Sequence, residues 1–130
     1  MVSGAYEEAV AQLRRRYRLS AMTAGAYAGE GWTAVAQDVV LGEELAGYVE
    51  LVRARPLYVV VLAPDPRVVA ERSKNGYGAG WTVESLDRVL REQTPRIGLW
   101  LDTTGQSAEQ TVDAVLAELG RARVVGAAES

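Results

Sequence analysis

The chain contains no cysteine and no histidine. Disulfides, thiolate nucleophiles, imidazole general bases and the usual zinc sites are therefore excluded. A bound metal would need oxygen ligands, which is the preference of magnesium. No apolar run approaches the roughly 20 residues that cross a bilayer. The opening MVSGAYEEAV has no basic segment leading into an apolar one, so it does not read as a signal peptide. The cytoplasm is the expected compartment, and no membrane partner is expected. Positive charge is in deficit: 14 Lys and Arg stand against 17 Asp and Glu, a net charge of −3. That balance disfavours nonspecific nucleic-acid binding, and no nucleic-acid motif is present.

What remains is an ordinary globular mixture. Of 130 residues, 48% are hydrophobic and 24% charged, which is enough apolar material for one core. The expected organisation is a single domain over residues 1–120 and a flexible tail over 121–130. Ala9, Leu13 and Tyr17 recur every four residues and predict a helix over 5–28, ended by Gly29 and Gly31. Its RRRYR run reads as a solvated helix face, with a binding patch as the alternative. WTAVAQ predicts a buried strand over 32–37 that ends near Asp38. A second helix is expected over 43–52, with Arg53 and Arg55 near its C-terminus, where positive charge suits the helix dipole.

The unbroken apolar run over 57–62 is the pattern of a parallel strand covered on both faces. Asp65 can cap the next helix and Pro66 fits its first position. A glycine-rich, basic flap follows, ERSKNGYGAGWT over 71–82. Thr82 caps the helix after it, with Trp81 placed to staple onto Leu86. IGLWLD over 97–102 predicts a third strand. Ser107 and Gln110 form a capping box for the last helix, which Gly120 stops. Strands alternating with helices predict an α/β fold: a small parallel sheet of about three strands flanked by helices.

In open parallel sheets, ligands collect beyond the carboxyl ends of the strands. Those ends carry Asp38, then Pro64 and Asp65, then Asp102, Thr103 and Thr104. Acids, hydroxyls and movable cations along one edge suit a magnesium-nucleotide site. Asp38 is the candidate magnesium ligand and catalytic acid. Arg72 and Lys74 of the flap are candidates to neutralise phosphate during transfer. Each has a plainer reading: Asp65 as a helix cap, Asp102 to Thr104 as a strand-to-turn signal, Arg72 and Lys74 as solvated charge.

AVAQDVVLGEEL, RPLYVVVLAPDPRVVAER, GYGAGWTVESLDRVLREQTPRIGLWLDTT and SAEQTVDAVLAEL together resemble the C-terminal two-thirds of small P-loop phosphotransferases. These are kinases of the chloramphenicol phosphotransferase and nucleotide kinase type. The resemblance runs over residues 9–119. It implies ATP and magnesium as cofactors and phosphoryl transfer to a hydroxyl of an unknown small-molecule acceptor. It makes the flap a lid with Arg72 facing the ATP phosphates, and puts Asp38 near magnesium and acceptor. Thr103 and Thr104 would then lie near adenine, and Arg96 would precede the last strand as a further nucleotide contact.

The chain departs from that family at its most diagnostic point. No G-x-x-x-x-G-K-S/T loop occurs, and this loop supplies the amides and lysine that cradle phosphate. The resemblance therefore implies an N-terminally truncated P-loop kinase fold with weak or no ATP turnover. In the related kinases the missing first strand lies between the third and fourth, so its loss leaves open strand edges. The competing expectation is a non-catalytic interaction module that associates through such an edge, with itself as a homodimer or with another chain.

Overall fold

The computed structural model describes residues 2–72 and 82–124. Two compact units divide the chain, Met1–Arg55 and Pro56–Ser130. The first is helical. Helix α1 spans Val2–Gly29 and buries Tyr17 and Ala21, on the stripe that the four-residue repeat predicts. It ends as the glycines require. Gly31 takes the left-handed φ of +93°, the Gly31 amide donates to Ala28 O, and the Trp32 amide donates back to Tyr27 O at 3.1 Å.

Helix α2, Glu44–Leu51, packs against α1. Leu45, Val49 and the following Val52 are buried. Each such side chain contributes about 2 kcal/mol when removed from water. The Tyr17 and Tyr48 rings meet edge to face at 5.3 Å, and the Ser20 and Tyr48 hydroxyls share a hydrogen bond. Arg55 donates to Val52 O and Ala54 O, so the expected basic residue does close the C-terminal end of α2.

The strand predicted over 32–37 is absent. These residues adopt no regular structure and are exposed, Val35 by 91% and Trp32 by 66%. The physical reason is pairing. A strand needs a neighbour for its backbone, and the described residues of this unit offer only helices.

The second unit is the α/β part. Strand β1, Val60–Leu62, pairs in parallel with β2, Leu99–Leu101, with Val61 opposite Trp100. The sheet has two strands among the described residues rather than about three. Gly98 makes their approach possible. Its φ is +80°, and a Cβ there would stand 2.2 Å from Val59 O. On the other side of β1, the Val59 amide donates to Ala122 O and the Val124 amide donates to Leu57 O. Residues 122–124, expected to belong to a flexible tail, are thus tied to the chain leading into β1, and the rest of that expected tail lies outside the described residues. Ala122 is fully buried and Arg123 bridges Tyr58 antiparallel.

Helix α3, Pro66–Arg72, follows β1, as the Asp-Pro start predicts. The flap residues 73–81 lie outside the described residues, and with them Lys74, the three flap glycines and the Trp81 staple. Helix α4, Val83–Arg88, opens with a capping box between Thr82 and Ser85 and continues as a π-helical turn, Val89–Gln93. Helix α5, Ala108–Ala117, opens with the predicted Ser107–Gln110 capping box. Gly120 does not stop it. The break falls at Glu118, whose amide is shared between Ala114 O and Val115 O, and Gly120 sits inside a last short helix, α6, Leu119–Ala122.

Candidate functional site

The parallel pair brings two predicted segments to one edge. Beyond β1 the chain runs through Ala63, Pro64 and Asp65; beyond β2 it runs through Asp102, Thr103 and Thr104. The Thr104 hydroxyl joins them by accepting from the Asp65 amide at 2.7 Å. The Thr104 amide in turn donates to Asp102 Oδ1 at 3.0 Å, a local turn of the kind Asp favours. Thr103 is buried and its carbonyl accepts from the Gln106 amide, with Gly105 at φ +76° completing the turn. Thr103 and Thr104 thus do occupy the loop that the sequence singles out.

Asp65 caps α3. Its Oδ1 accepts from the Arg67 amide at 2.8 Å, and its two oxygens accept from Arg67 Nε and Nη2. The Arg67 guanidinium and amide hold its carboxyl down to about 2. The Asp102 carboxyl is also lowered, first by the bonds from Thr104 and then by the charge of Arg91. Both acids are therefore ionised at neutral pH.

Arg91 is the residue that sequence reading missed. It sits in the π-helical turn, where Nε donates to Asp87 Oδ1 at 2.8 Å. Its Nη2 donates to Ala63 O and Pro64 O, the carbonyls that leave β1. The only sequence signal was its place four residues after Asp87, which is the spacing of a helix ion pair. Nothing local marks it as reaching the sheet edge. That reach depends on how α4 packs.

The other predicted residues fall elsewhere. The Arg96 guanidinium stacks 3.9 Å from the centre of the Trp100 ring, and its Nη2 donates to Arg91 O. Arg72 is the last residue of α3, and its side chain, like Lys74, lies outside the described atoms. Asp38 belongs to the first unit and ends no strand. Both its oxygens accept from Arg16, Oδ2 from Nε and Oδ1 from Nη2, each at 2.7 Å, and Oδ1 also accepts from the Val39 amide. Arg14 of the same basic run is bound to Glu44 of α2. Tyr17 between them is buried, and its hydroxyl donates to Val39 O. RRRYR is therefore partly a tether for the segment after α1 rather than only a solvated face.

This geometry does not fit magnesium at Asp38, because a forked guanidinium already occupies both oxygens. Among the described residues, no three acids are grouped to hold a metal ion. No helix of the described residues is long and apolar enough to cross a membrane. Comparison with protein-family models, curated proteins and solved structures found no match.

Proposed function

We propose that the second unit is the nucleoside-binding part of an ATP-dependent small-molecule kinase, and that this chain does not turn over ATP by itself. The observation that supports the reading is the edge beyond β1 and β2. There a parallel pair ends in two ionised acids and two threonines, tied together by the Thr104 hydroxyl. Ligands of parallel α/β sheets collect at that end. The residues offer what a nucleoside requires. The Asp102 carboxylate can accept from ribose hydroxyls, while Asp65 is held by the Arg67 fork as the cap of α3, and the carbonyls of residues 102–106 can meet a base edge.

Phosphate recognition is the weaker half of the site. The chain has no glycine-rich Gly-Lys-Ser/Thr loop, so the several backbone donors that hold phosphate in such kinases are missing from it. Arg72 and Lys74 are assigned to the phosphates by the resemblance alone. Asp38 is not assigned to magnesium in this reading, because Arg16 holds both its oxygens.

The test is a titration of the labelled protein followed by amide chemical shifts. Adenosine at millimolar concentration should move the amides of Asp65 and of Asp102 through Gln106. ATP with magnesium should move the same amides with little gain in affinity. No movement at either set of amides, with either ligand, removes the proposal.

A further inference from the structure

We propose that residues 33–37, which have no regular structure in the single chain, become a strand by associating antiparallel with the same residues of a second copy of this chain, centred on Val35. The inference rests on the first unit and does not depend on the nucleotide reading. Four observations carry it.

The first is backbone chemistry. No hydrogen bond joins the backbone of residues 33–37 to any described residue. Thr33, Ala34, Val35, Ala36 and Gln37 thus present free amides and carbonyls in a run with a β-branched centre. Such a run is a template for another strand. The second is exposed apolar surface. Leu19, Tyr27, Trp32 and Val35 line one open groove of about 690 Å³ between α1 and this segment, and each is more than half exposed. Only the exposed part of each can be buried anew: with aromatic side chains burying ~150–250 Å² when fully covered, the exposed parts of these four amount to on the order of 450 Å² per copy. Two copies then reach about 900 Å², the size of a weak, reversible interface.

The third is self-complementarity. A two-fold pairing centred on Val35 sets Thr33 opposite Gln37 and Ala34 opposite Ala36, so no charged residue lies within the paired run. Trp32 then faces Asp38 of the second copy and lies diagonal to its Ala36, a small residue that an aromatic ring can cover. Asp38 brings no bare charge to this contact, because its own Arg16 neutralises it. The fourth is anchoring. The segment is fixed at one end by the Trp32 amide on Tyr27 O and at the other by the Arg16–Asp38 and Tyr17–Val39 bonds. Less entropy is lost on pairing than a free tail would lose.

The experiment is sedimentation of the full chain, with charge at the symmetry point. Wild type should show a monomer–dimer equilibrium in the micromolar range. V35K and V35E each place like charges opposite one another, so each alone should dissociate at least about tenfold more readily. An equimolar mixture of the two should recover the dimer. The helical circular dichroism of both variants should match wild type, since Val35 packs against little. The chain has no cysteine, so T33C mixed with Q37C reports direction: the crossed disulfide should exceed either symmetric one. A monomeric wild type overturns the proposal. So does a dimer that survives both charges, a mixture that stays monomeric, or a preference for symmetric disulfides.

Discussion

Asp65 and Gly98 carry predictions that follow from single side chains. The Asp65 carboxyl is held at about 2 by Arg67. A depressed folded value stabilises the protein fully above the ordinary carboxyl range and loses that contribution as pH falls from about 4 to 2. Asp65→Asn keeps a capping oxygen and removes the charge. Its urea midpoint should lie below wild type at pH 7, and the two should converge by pH 2; a constant gap across that range would assign the effect to packing. Tyr17 behaves in the opposite sense. Burial pushes its phenol up to about 12, so its contribution is intact below pH 10 and fades between 10 and 12. Absorbance titration should find Tyr17 ionising late, and Tyr17→Phe should remove that late step. At Gly98, an added Cβ meets the Val59 carbonyl and a positive φ at once. Gly98→Ala should cost about 3 kcal/mol, whereas Gly105→Ala, with a positive φ and open space, should cost about 1 kcal/mol. Equal losses in denaturant melts would show that β1 and β2 do not approach as closely as described.

Helix starts were legible because their chemistry is local. Ser107 and Gln110, and Asp65 with Pro66, lie within a few residues of the amides they serve. Ser107→Ala should therefore destabilise the protein by about 1 kcal/mol, read as a lower thermal midpoint, and Ser107→Asp should restore it. A midpoint unmoved by the alanine would mean that α5 is held by packing alone. Strands were less legible. The apolar runs over 57–62 and 97–102 did become a parallel pair, the first shorter at its start and the second at both ends. The run over 32–37, WTAVAQ, is less rich in large apolar residues than LYVVVL and became irregular, with no strand among the described residues of its unit to pair with it. The tail misled for the same reason. Arg123 and Val124 look dispensable in sequence, yet their backbones meet Leu57 and Tyr58.

At the scale of the chain, the sequence holds no Gly-Lys-Ser/Thr phosphate loop, and the proposed nucleoside reading carries a prediction from that. Calorimetry with magnesium-ATP should show no saturable heat at micromolar nucleotide, because the oriented amides and lysine that bind triphosphate are not encoded. Tight stoichiometric binding would require a phosphate cradle that the described residues do not contain. The division into Met1–Arg55 and Pro56–Ser130 separates the predicted residues: Asp38 belongs to one unit, and Thr103, Thr104 and Arg96 to the other.

The sequence by itself determined the chemical limits: no thiol, no imidazole, no phosphate loop, and helices begun by readable caps. It also determined that Asp65 and the Asp102-Thr103-Thr104 turn follow apolar runs. Whether those runs pair is a long-range question, and only the tertiary structure decided it. Packing joined residues 65 and 104, aimed Arg91 at the carbonyls leaving β1, and closed Arg16 on Asp38. Each of those contacts spans more than twenty residues of sequence. Local propensity acts over a few residues, so it sets where an element starts. Which distant group an exposed arginine or carboxylate meets depends on how the elements pack.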